Sequence, residues 1–258
     1  MDESEKEAPK APEEPKDEAL LEMKRISRRS FTWGGLAIGL TYAGFHYLHK
    51  MGTETDDTLP WLFRRGLQFN EGVNQRLYSS QRLSPTFTDK DITEARTNGD
   101  IGLGDDFDPA SWKLKVEGGA MPLVLALKDI EALPRQEFVA ELKCIEGWSF
   151  FVKWAGVRLS DFMAKYPPAG KVDYVGMATP DEQYYVGLDM PAAVHPQTLL
   201  CFEMNGQPLA LEHGAPLRLA IPHKYGVKNI KRIGVIRYQN VRPKDYWAEQ
   251  GYDWYAGL

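Results

Sequence analysis

Cysteine is scarce in this chain of 258 residues, which has only Cys144 and Cys201. Two cysteines cannot make a disulfide scaffold, and their spacing does not match a zinc ribbon or an iron–sulfur motif. The sequence also lacks Cys-x-x-Cys-His, the signature of covalent haem attachment. If this protein carries out redox chemistry, we expect a separate partner to supply or take the electrons.

An excess of positive charge is also missing, because the net charge is −5. A dedicated nucleic-acid binder is usually basic, so we expect no nucleic-acid partner. The acidity is local, since residues 1–20 hold eight acidic side chains and three lysines, and the remainder is neutral. With 43% hydrophobic residues the chain is neither wholly disordered nor fibrous.

The N-terminal part is predicted to hold a tail and a targeting segment. Residues 1–23 are rich in Glu, Pro, Ala and Lys and predict a disordered acidic tail. Residues 24–50 begin with basic residues and continue into an uncharged run from Phe31 to Leu48, which is typical of a targeting signal. Arg28 and Arg29 resemble a twin-arginine export motif. A cleaved signal, an uncleaved membrane anchor and a buried helix remain possible, and we expect the anchor.

Residues 51–97 are predicted to be a linker that contains an amphipathic helix over about 58–80. Its apolar positions recur at helical spacing: Leu62, Gly66, Phe69, Val73 and Leu77. Such a helix either lies on a membrane or partner, or packs on its own domain. We expect the second arrangement.

Residues 98–258 are predicted to form one mixed α+β domain, because short apolar segments alternate with Gly, Pro and Asp turns. The predicted strands are 112–116, 137–144, 174–177, 184–188, 199–204, 217–221 and 233–238. The predicted helices are 128–133, 159–165, 189–193 and 244–249. Long helices do not regularly follow the strands, so a doubly wound parallel sheet is not expected.

Cys144 ends a predicted strand on the same face as its apolar neighbours. Glu146, Gly147 and Trp148 follow directly, and Gly147 permits a turn. The thiol is therefore expected at a strand end, beside a carboxylate and an indole, either as a plain buried cysteine or as a ligand or nucleophile. Cys201 is expected to be buried, and a Cys144–Cys201 disulfide is chemically permitted after export.

A second cluster begins at His213 and Arg218 and continues into a glycine-containing loop. Four basic residues, Lys224, Lys228, Lys231 and Arg232, fall within nine positions around Gly226. Glycine lets backbone N–H groups approach an anion, and Lys and Arg supply the charge. The loop is either a phosphate site or a solvated basic surface.

These motifs, in this order, resemble the sulfite-oxidase-type molybdopterin domain, and most closely its branch of periplasmic protein-methionine-sulfoxide reductases. The resemblance covers residues 98–258. It implies a strand-rich α+β fold and a single molybdenum held by one pyranopterin dithiolene and by the thiolate of Cys144, which is the expected metal ligand. Cys144 and Glu146 are the expected catalytic residues. The expected cofactor-binding residues are Cys144, Asn98, Thr179, His213, Arg218, Lys228, Asn229, Ile230 and Lys231.

The resemblance implies an oxidoreductase that transfers an oxygen atom. Glu146, two residues from the metal ligand, would repel the sulfite anion, so we expect a neutral S-oxide or N-oxide, such as methionine sulfoxide, to be reduced. The implied electron partner is a membrane haem protein or a c-type cytochrome. The implied location is the periplasmic side of the inner membrane. A sulfite-oxidising enzyme and a non-enzymatic, membrane-tethered anion-binding module remain as alternatives.

Overall fold

The structure is a computed structural model that describes residues 16–50, 61–104 and 107–258. The chain divides into two compact units, Met1–Gly52 and Thr53–Leu258. All elements of the predicted α+β domain lie in the second unit.

The first unit contains one helix, α1, at Lys16–Lys50. Residues 16–23, which were predicted to be disordered, are helical, since Lys, Glu, Ala, Leu and Met have high helix propensity. The rest of the predicted tail, residues 1–15, lies outside the described residues. The helix predicted for the targeting segment is present. No helix in the described part of the chain is long and apolar enough to cross a membrane.

The second unit begins with α2 at Trp61–Leu77. Residues 61–97 of the segment predicted as a linker belong to this unit and pack on it. Glu71 of α2 is buried and lies 2.7 Å from the Arg242 guanidinium. Phe87 forms a bridge with Val139 and packs edge-on against Phe151 at 4.6 Å between ring centroids. Residues 61–97 are therefore part of the folded unit.

Two five-stranded sheets organise the described part of this unit, one in the order β2-β1-β10-β5-β6 and one in the order β3-β4-β7-β8, with β9 paired to β7. The strands are β1 Leu114–Glu117, β2 Leu123–Leu125, β3 Arg135–Lys143, β4 Ser149–Arg158, β5 Tyr174–Ala178, β6 Tyr185–Asp189, β7 Leu199–Met204, β8 Gln207–Pro208, β9 Arg218–Ala220 and β10 Val235–Gln239. The short helices are α3 Leu127–Glu131, α4 Leu159–Lys165, α5 Met190–Ala193 and α6 Tyr246–Glu249. The mixed α+β class is confirmed.

Every predicted strand and short helix of the domain is present within two residues of its predicted ends. Three strands were not predicted, namely β2, β4 and β8. Two of them are very short. The third, β4, is buried at six of its ten positions. Its second half is buried on both faces, and the apolar run Phe150, Phe151 and Val152 in its first half interrupts the alternation of apolar and polar residues. It pairs with β3 along the whole length of that strand and so fixes the turn at Cys144.

One buried ion pair connects three elements beneath the predicted basic loop. Asp245 is 2% exposed, and its Oδ2 lies 2.5 Å from Nζ of Lys228, which is 1% exposed. Asp245 also accepts hydrogen bonds from the backbone N–H of Gly187 in β6 and, as the N-cap of α6, from that of Ala248. Lys228 donates a second hydrogen bond to the Gly187 carbonyl. Burial lowers the pKa of Lys228, and the Asp245 carboxylate opposes that shift.

We expect Asp245→Asn to lower the free energy of unfolding by about 3 kcal/mol, since it leaves the buried Lys228 charge without a counter-ion. Urea unfolding monitored by tryptophan fluorescence measures this change. The matched control is Glu137→Gln, which removes a carboxylate that pairs with Arg135 at the surface, where the expected change is below about 1 kcal/mol. Equal losses in the two variants would contradict the prediction.

Candidate functional site

The predicted site residues converge on a cleft of about 160 Å³. The turn after β3, the segment before β1, the loop after β9 and the region around α6 form its walls. Seven of the predicted residues line it: Asn98, Cys144, Glu146, His213, Arg218, Asn229 and Lys231. The structure thus brings residues that are up to 133 positions apart in the sequence to one cleft.

Cys144 begins the tight turn between β3 and β4. Its backbone N–H donates to the Trp148 carbonyl at 2.9 Å, and its carbonyl accepts from the N–H of Gly147 at 3.1 Å. Gly147 has φ +87°, a left-handed conformation that favours glycine. The thiol is free and half-buried in the cleft. Burial raises its pKa, and the nearby Glu146 carboxylate raises it further, whereas backbone hydrogen bonds and Arg96 act in the opposite direction.

Glu146 lies at the exposed rim of the cleft with its carboxylate fixed by an indole. Nε1 of Trp148 donates to Glu146 Oε2 at 2.7 Å, and Nδ2 of Asn98 approaches the same oxygen at 3.4 Å. The Trp148 ring stacks on Phe150 at 5.8 Å between centroids, and the Arg96 guanidinium lies over it at 5.0 Å. Trp148 therefore both forms a wall of the cleft and orients the carboxylate.

Arg218 supplies a buried positive charge to the cleft. It is 3% exposed, and its two terminal nitrogens donate to the carbonyls of His213 and Asn229 at 2.9 and 3.3 Å. Its Nε has no hydrogen-bond partner, and no carboxylate among the described residues forms an ion pair with it. Burial lowers its pKa to about 10, which leaves it charged at neutral pH. A buried cation that has no carboxylate partner among the described residues is suited to an anionic ligand.

Lys231, Asn229 and His213 shape the cleft around Arg218. Lys231 Nζ donates to the carbonyls of Asn98, Gly99 and Glu212 at 2.8 to 3.0 Å, so it ties the segment before β1 to the basic loop. Burial lowers its pKa to about 8. Asn229 accepts from the Ile221 N–H and donates to the Tyr225 carbonyl. Burial, with Arg218 and Lys231, lowers the pKa of His213, which favours the neutral imidazole.

Three of the predicted cofactor-binding residues do not line the cleft: Thr179, Lys228 and Ile230. The Thr179 hydroxyl is buried and donates to Asp181 Oδ1 at 2.5 Å. Lys228 turns inward to Asp245, as described above. Ile230 is 1% exposed and packs in the larger apolar core, where its carbonyl accepts from the Leu219 N–H. In the segment 228–231, Asn229 and Lys231 thus line the cleft, whereas Lys228 and Ile230 point to the interior.

The cleft also contains residues that the sequence analysis did not single out, among them Arg96, Tyr184, Trp247 and Tyr252. Tyr184 donates its hydroxyl to the Val227 carbonyl at 2.6 Å and so supports the basic loop. The dense aromatic composition of residues 246–255 is a signal that could have indicated a wall. Nothing in the sequence around Arg96 sets it apart from other exposed arginines.

The donor set of the cleft fits a group that combines a soft metal with an anionic arm. Thiolate sulfur is a ligand that soft metal centres prefer, and metal binding removes the thiol proton whatever the pKa of the free group. The unpartnered Nε of Arg218 fits a phosphate, and the ammonium of Lys231, whose donors go to backbone carbonyls, adds positive charge beside it. Within the described residues, no group of three or more His, Cys, Asp or Glu side chains forms a metal site of the all-protein type.

Comparison with known families gives one match, "Oxidoreductase molybdopterin binding domain", over residues 102–247. Similar curated proteins include the "Putative protein-methionine-sulfoxide reductase subunit YedZ1" of Azospira oryzae, which is 32% identical over 90% of this chain and 88% of that protein. The "Protein-methionine-sulfoxide reductase catalytic subunit MsrP" of Campylobacter jejuni is 33% identical over 61% of this chain and 60% of its own length. The protein of the same name from Xanthomonas campestris is 36% identical over 54% and 48%.

The chain thus spans most of the Azospira relative but only about half of the length of the catalytic subunits. Among solved structures, the sulfane dehydrogenase SoxCD of Paracoccus pantotrophus matches with a TM-score of 0.50 and 20% identity, over 53% of this chain and 40% of that one. At this identity the match shows a similar fold and nothing more.

We expect Arg218→Gln to weaken binding of inorganic phosphate in the cleft of the cofactor-free protein by about tenfold, since it removes a charge-assisted donor. Isothermal titration calorimetry measures the affinity. Arg237→Gln is the matched control, because Arg237 pairs with Glu117 and Glu182 at the surface. Binding that is equal in the two variants would show that the buried guanidinium does not serve an anion.

Proposed function

The chain belongs to the family of oxidoreductase molybdopterin-binding domains, and on this premise we propose that it reduces an S-oxide by transfer of an oxygen atom to a single molybdenum. The observation that carries the proposal is the placement of the Cys144 thiol in one cleft with the buried, carboxylate-free guanidinium of Arg218. A soft ligand for the metal and a cation for the phosphate of the pterin thereby lie in a single cavity.

Each residue of the cleft has a role that follows from its chemistry. Cys144 provides the protein thiolate, and Arg218, Lys231 and Asn229 hold the pterin and its phosphate. When bound, the molybdenum supplies a two-electron change that accompanies oxygen-atom transfer. The aromatic rings of Trp148, Phe150 and Trp247 form apolar walls that limit access of water.

Glu146 is the residue that supports an S-oxide over sulfite. Its carboxylate stands at the rim, on the same turn as Cys144, and repels a dianion that approaches the thiol. Reduction of a sulfoxide consumes two electrons and two protons and releases water. Glu146 Oε2, oriented by the Trp148 indole, is placed to hold one of those protons and pass it to the departing oxygen. The names of the similar catalytic subunits agree with this class of substrate.

The electrons come from a separate redox partner, for which we propose a membrane haem protein or a c-type cytochrome. The sequence supports this because it contains neither an iron–sulfur spacing nor a haem-attachment motif. We also propose export to the periplasm through the segment around Arg28 and Arg29, and cell fractionation of the full chain tests this location. A protein found wholly in the cytoplasm would contradict the export proposal.

We expect Cys144→Ser to lose molybdenum while it keeps pterin, because the metal loses its protein ligand but the cradle around Arg218 is intact. Metal analysis of protein purified from a molybdenum-replete host measures the molybdenum content, and fluorescence of the oxidised pterin measures the pterin content. Cys201→Ala is the control, since Cys201 is fully buried in the smaller apolar core and does not line the cleft. Full molybdenum in Cys144→Ser, or none in the wild type, would refute the proposal.

We expect Glu146→Gln to lower kcat for methionine sulfoxide by about a hundredfold and to leave KM nearly unchanged, since the amide cannot deliver a proton. The assay follows oxidation of a reduced viologen dye. Glu141→Gln is the control and should retain activity, because Glu141 lies in β3, before the turn that carries Glu146, and does not line the cleft.

The same preparations are then given sulfite with ferricyanide as the electron acceptor. Negligible sulfite oxidation by the wild type is expected. Faster turnover of sulfite than of the sulfoxide would overturn the proposed direction and favour a sulfite-oxidising enzyme.

A further inference from the structure

Helix α2 presents an apolar stripe to solvent. Phe69, Val73 and Leu77 follow one another at intervals of four residues, and their relative exposures are 72%, 37% and 63%. Phe63, at 56%, lies beside them. A helix of 17 residues is about 25 Å long, so the stripe extends over most of the element. These are the same positions whose spacing predicted an amphipathic helix packed on its own domain.

The opposite face of α2 contacts the domain mainly through polar side chains, with the half-buried Leu67 on the same face. Arg64 donates to the Ala248 carbonyl at 3.1 Å, and Glu71 pairs with Arg242 as described above. Directly after the helix, the Tyr78 hydroxyl donates to the Pro191 carbonyl at 2.9 Å. A surface helix of a globular protein normally turns its apolar face to the core. Here that orientation is inverted, so specific polar contacts dock the helix and its apolar face is left for another surface.

The charge along the edge of the stripe is positive. Arg65 and Arg76 are exposed on α2, and Arg82 is exposed just beyond it, next to Leu83 at 55% exposure. Between residues 61 and 88 the only acidic residue is Glu71, which faces inward. Asp89 and Asp91 follow directly, and Asp89 pairs with Lys153. A second copy of the chain that paired stripe to stripe about a two-fold axis would bring the arginines of one copy towards the arginines of the other. Anionic lipid headgroups complement both the apolar stripe and its cationic edge.

From this arrangement we infer that α2 lies in the surface of an anionic lipid bilayer, with Phe69, Val73 and Leu77 in the headgroup–acyl boundary and Arg76 and Arg82 at the lipid phosphates. The polar contacts of Arg64 and Glu71 hold the domain against this helix. The inference concerns where the domain is held and is independent of the reaction in the cleft. It is also independent of α1, whose sequence is unchanged in the variants below.

The test measures partition of the full, cofactor-loaded chain onto vesicles of phosphatidylethanolamine and phosphatidylglycerol by co-sedimentation over a range of lipid concentrations. Phe69→Glu places a charge within the stripe and should lower the partition coefficient by about tenfold. Gln68→Glu is the matched control, because it adds the same charge to an exposed position of the same helix outside the stripe. Any binding that α1 contributes is the same in both variants. Phe69→Ser provides a second, uncharged disruption of the stripe.

The arginines give an independent readout. Arg76→Gln and Arg82→Gln should each lower partition by about fivefold on the anionic vesicles and change nothing on phosphatidylcholine alone. Equal partition of Phe69→Glu and Gln68→Glu, both folded by circular dichroism, would overturn the inference. So would a lipid-free dimer, seen by analytical ultracentrifugation, that Phe69→Glu dissociates, since the stripe would then belong to a second copy. Loss of enzyme activity in any of these variants does not bear on the inference, because the readout is binding to lipid.

Discussion

The ion pair between Lys228 and Asp245 is the constraint on which the arrangement of the cleft depends. Its two members are almost wholly buried, and through Gly187 and the first turn of α6 the carboxylate joins the sheet of β6, the basic loop and the aromatic C-terminal segment. The residues on either side of Lys228, namely Val227 and Asn229, line the cleft. A side chain that points inward therefore sets the position of neighbours that point outward, and the loop acquires a fixed shape before any ligand arrives.

The electrostatics of the cleft divide into a charged interior and an acidic rim. Arg218 lies deep in the wall, where its hydrogen bonds go to carbonyl groups and its charge is not neutralised by a carboxylate of the described residues. Glu146 is at the surface, held by the Trp148 indole. The phosphate of a tightly bound cofactor can be accommodated beside Arg218 inside the cleft. A free anionic substrate, in contrast, first meets the Glu146 carboxylate at the rim. This division supports a neutral substrate beside an anionic cofactor.

The sequence predicts the fold class and most elements well because the domain has short apolar segments separated by strong turn residues, as at Gly147 and Gly214. It predicts less about side-chain direction. The motif that contains Lys228, Asn229, Ile230 and Lys231 identifies the right loop, but a three-residue 3₁₀ turn at Gly226–Lys228 rotates successive side chains to different sides. In the same way, the periodicity of α2 predicts an amphipathic helix but not which face the domain covers, because Glu71 and Arg242 come from distant parts of the chain. Ion pairs between residues so far apart in the chain form only in the tertiary structure, so local sequence periodicity does not predict them.

The uncompensated guanidinium of Arg218 links cofactor loading to the lifetime of the folded protein. Without a bound anion, the fold contains a buried charge that opposes folding, and this is the physical reason for its lowered pKa. A ligand that binds only the native state and neutralises that charge increases the free energy of unfolding in proportion to the logarithm of its concentration above its dissociation constant. Loaded molecules should therefore open less often than empty ones and resist proteases longer. A cell that degrades partly unfolded chains would in this way retain the cofactor-loaded form, and it would need no separate chaperone or protease that recognises the cofactor-free form.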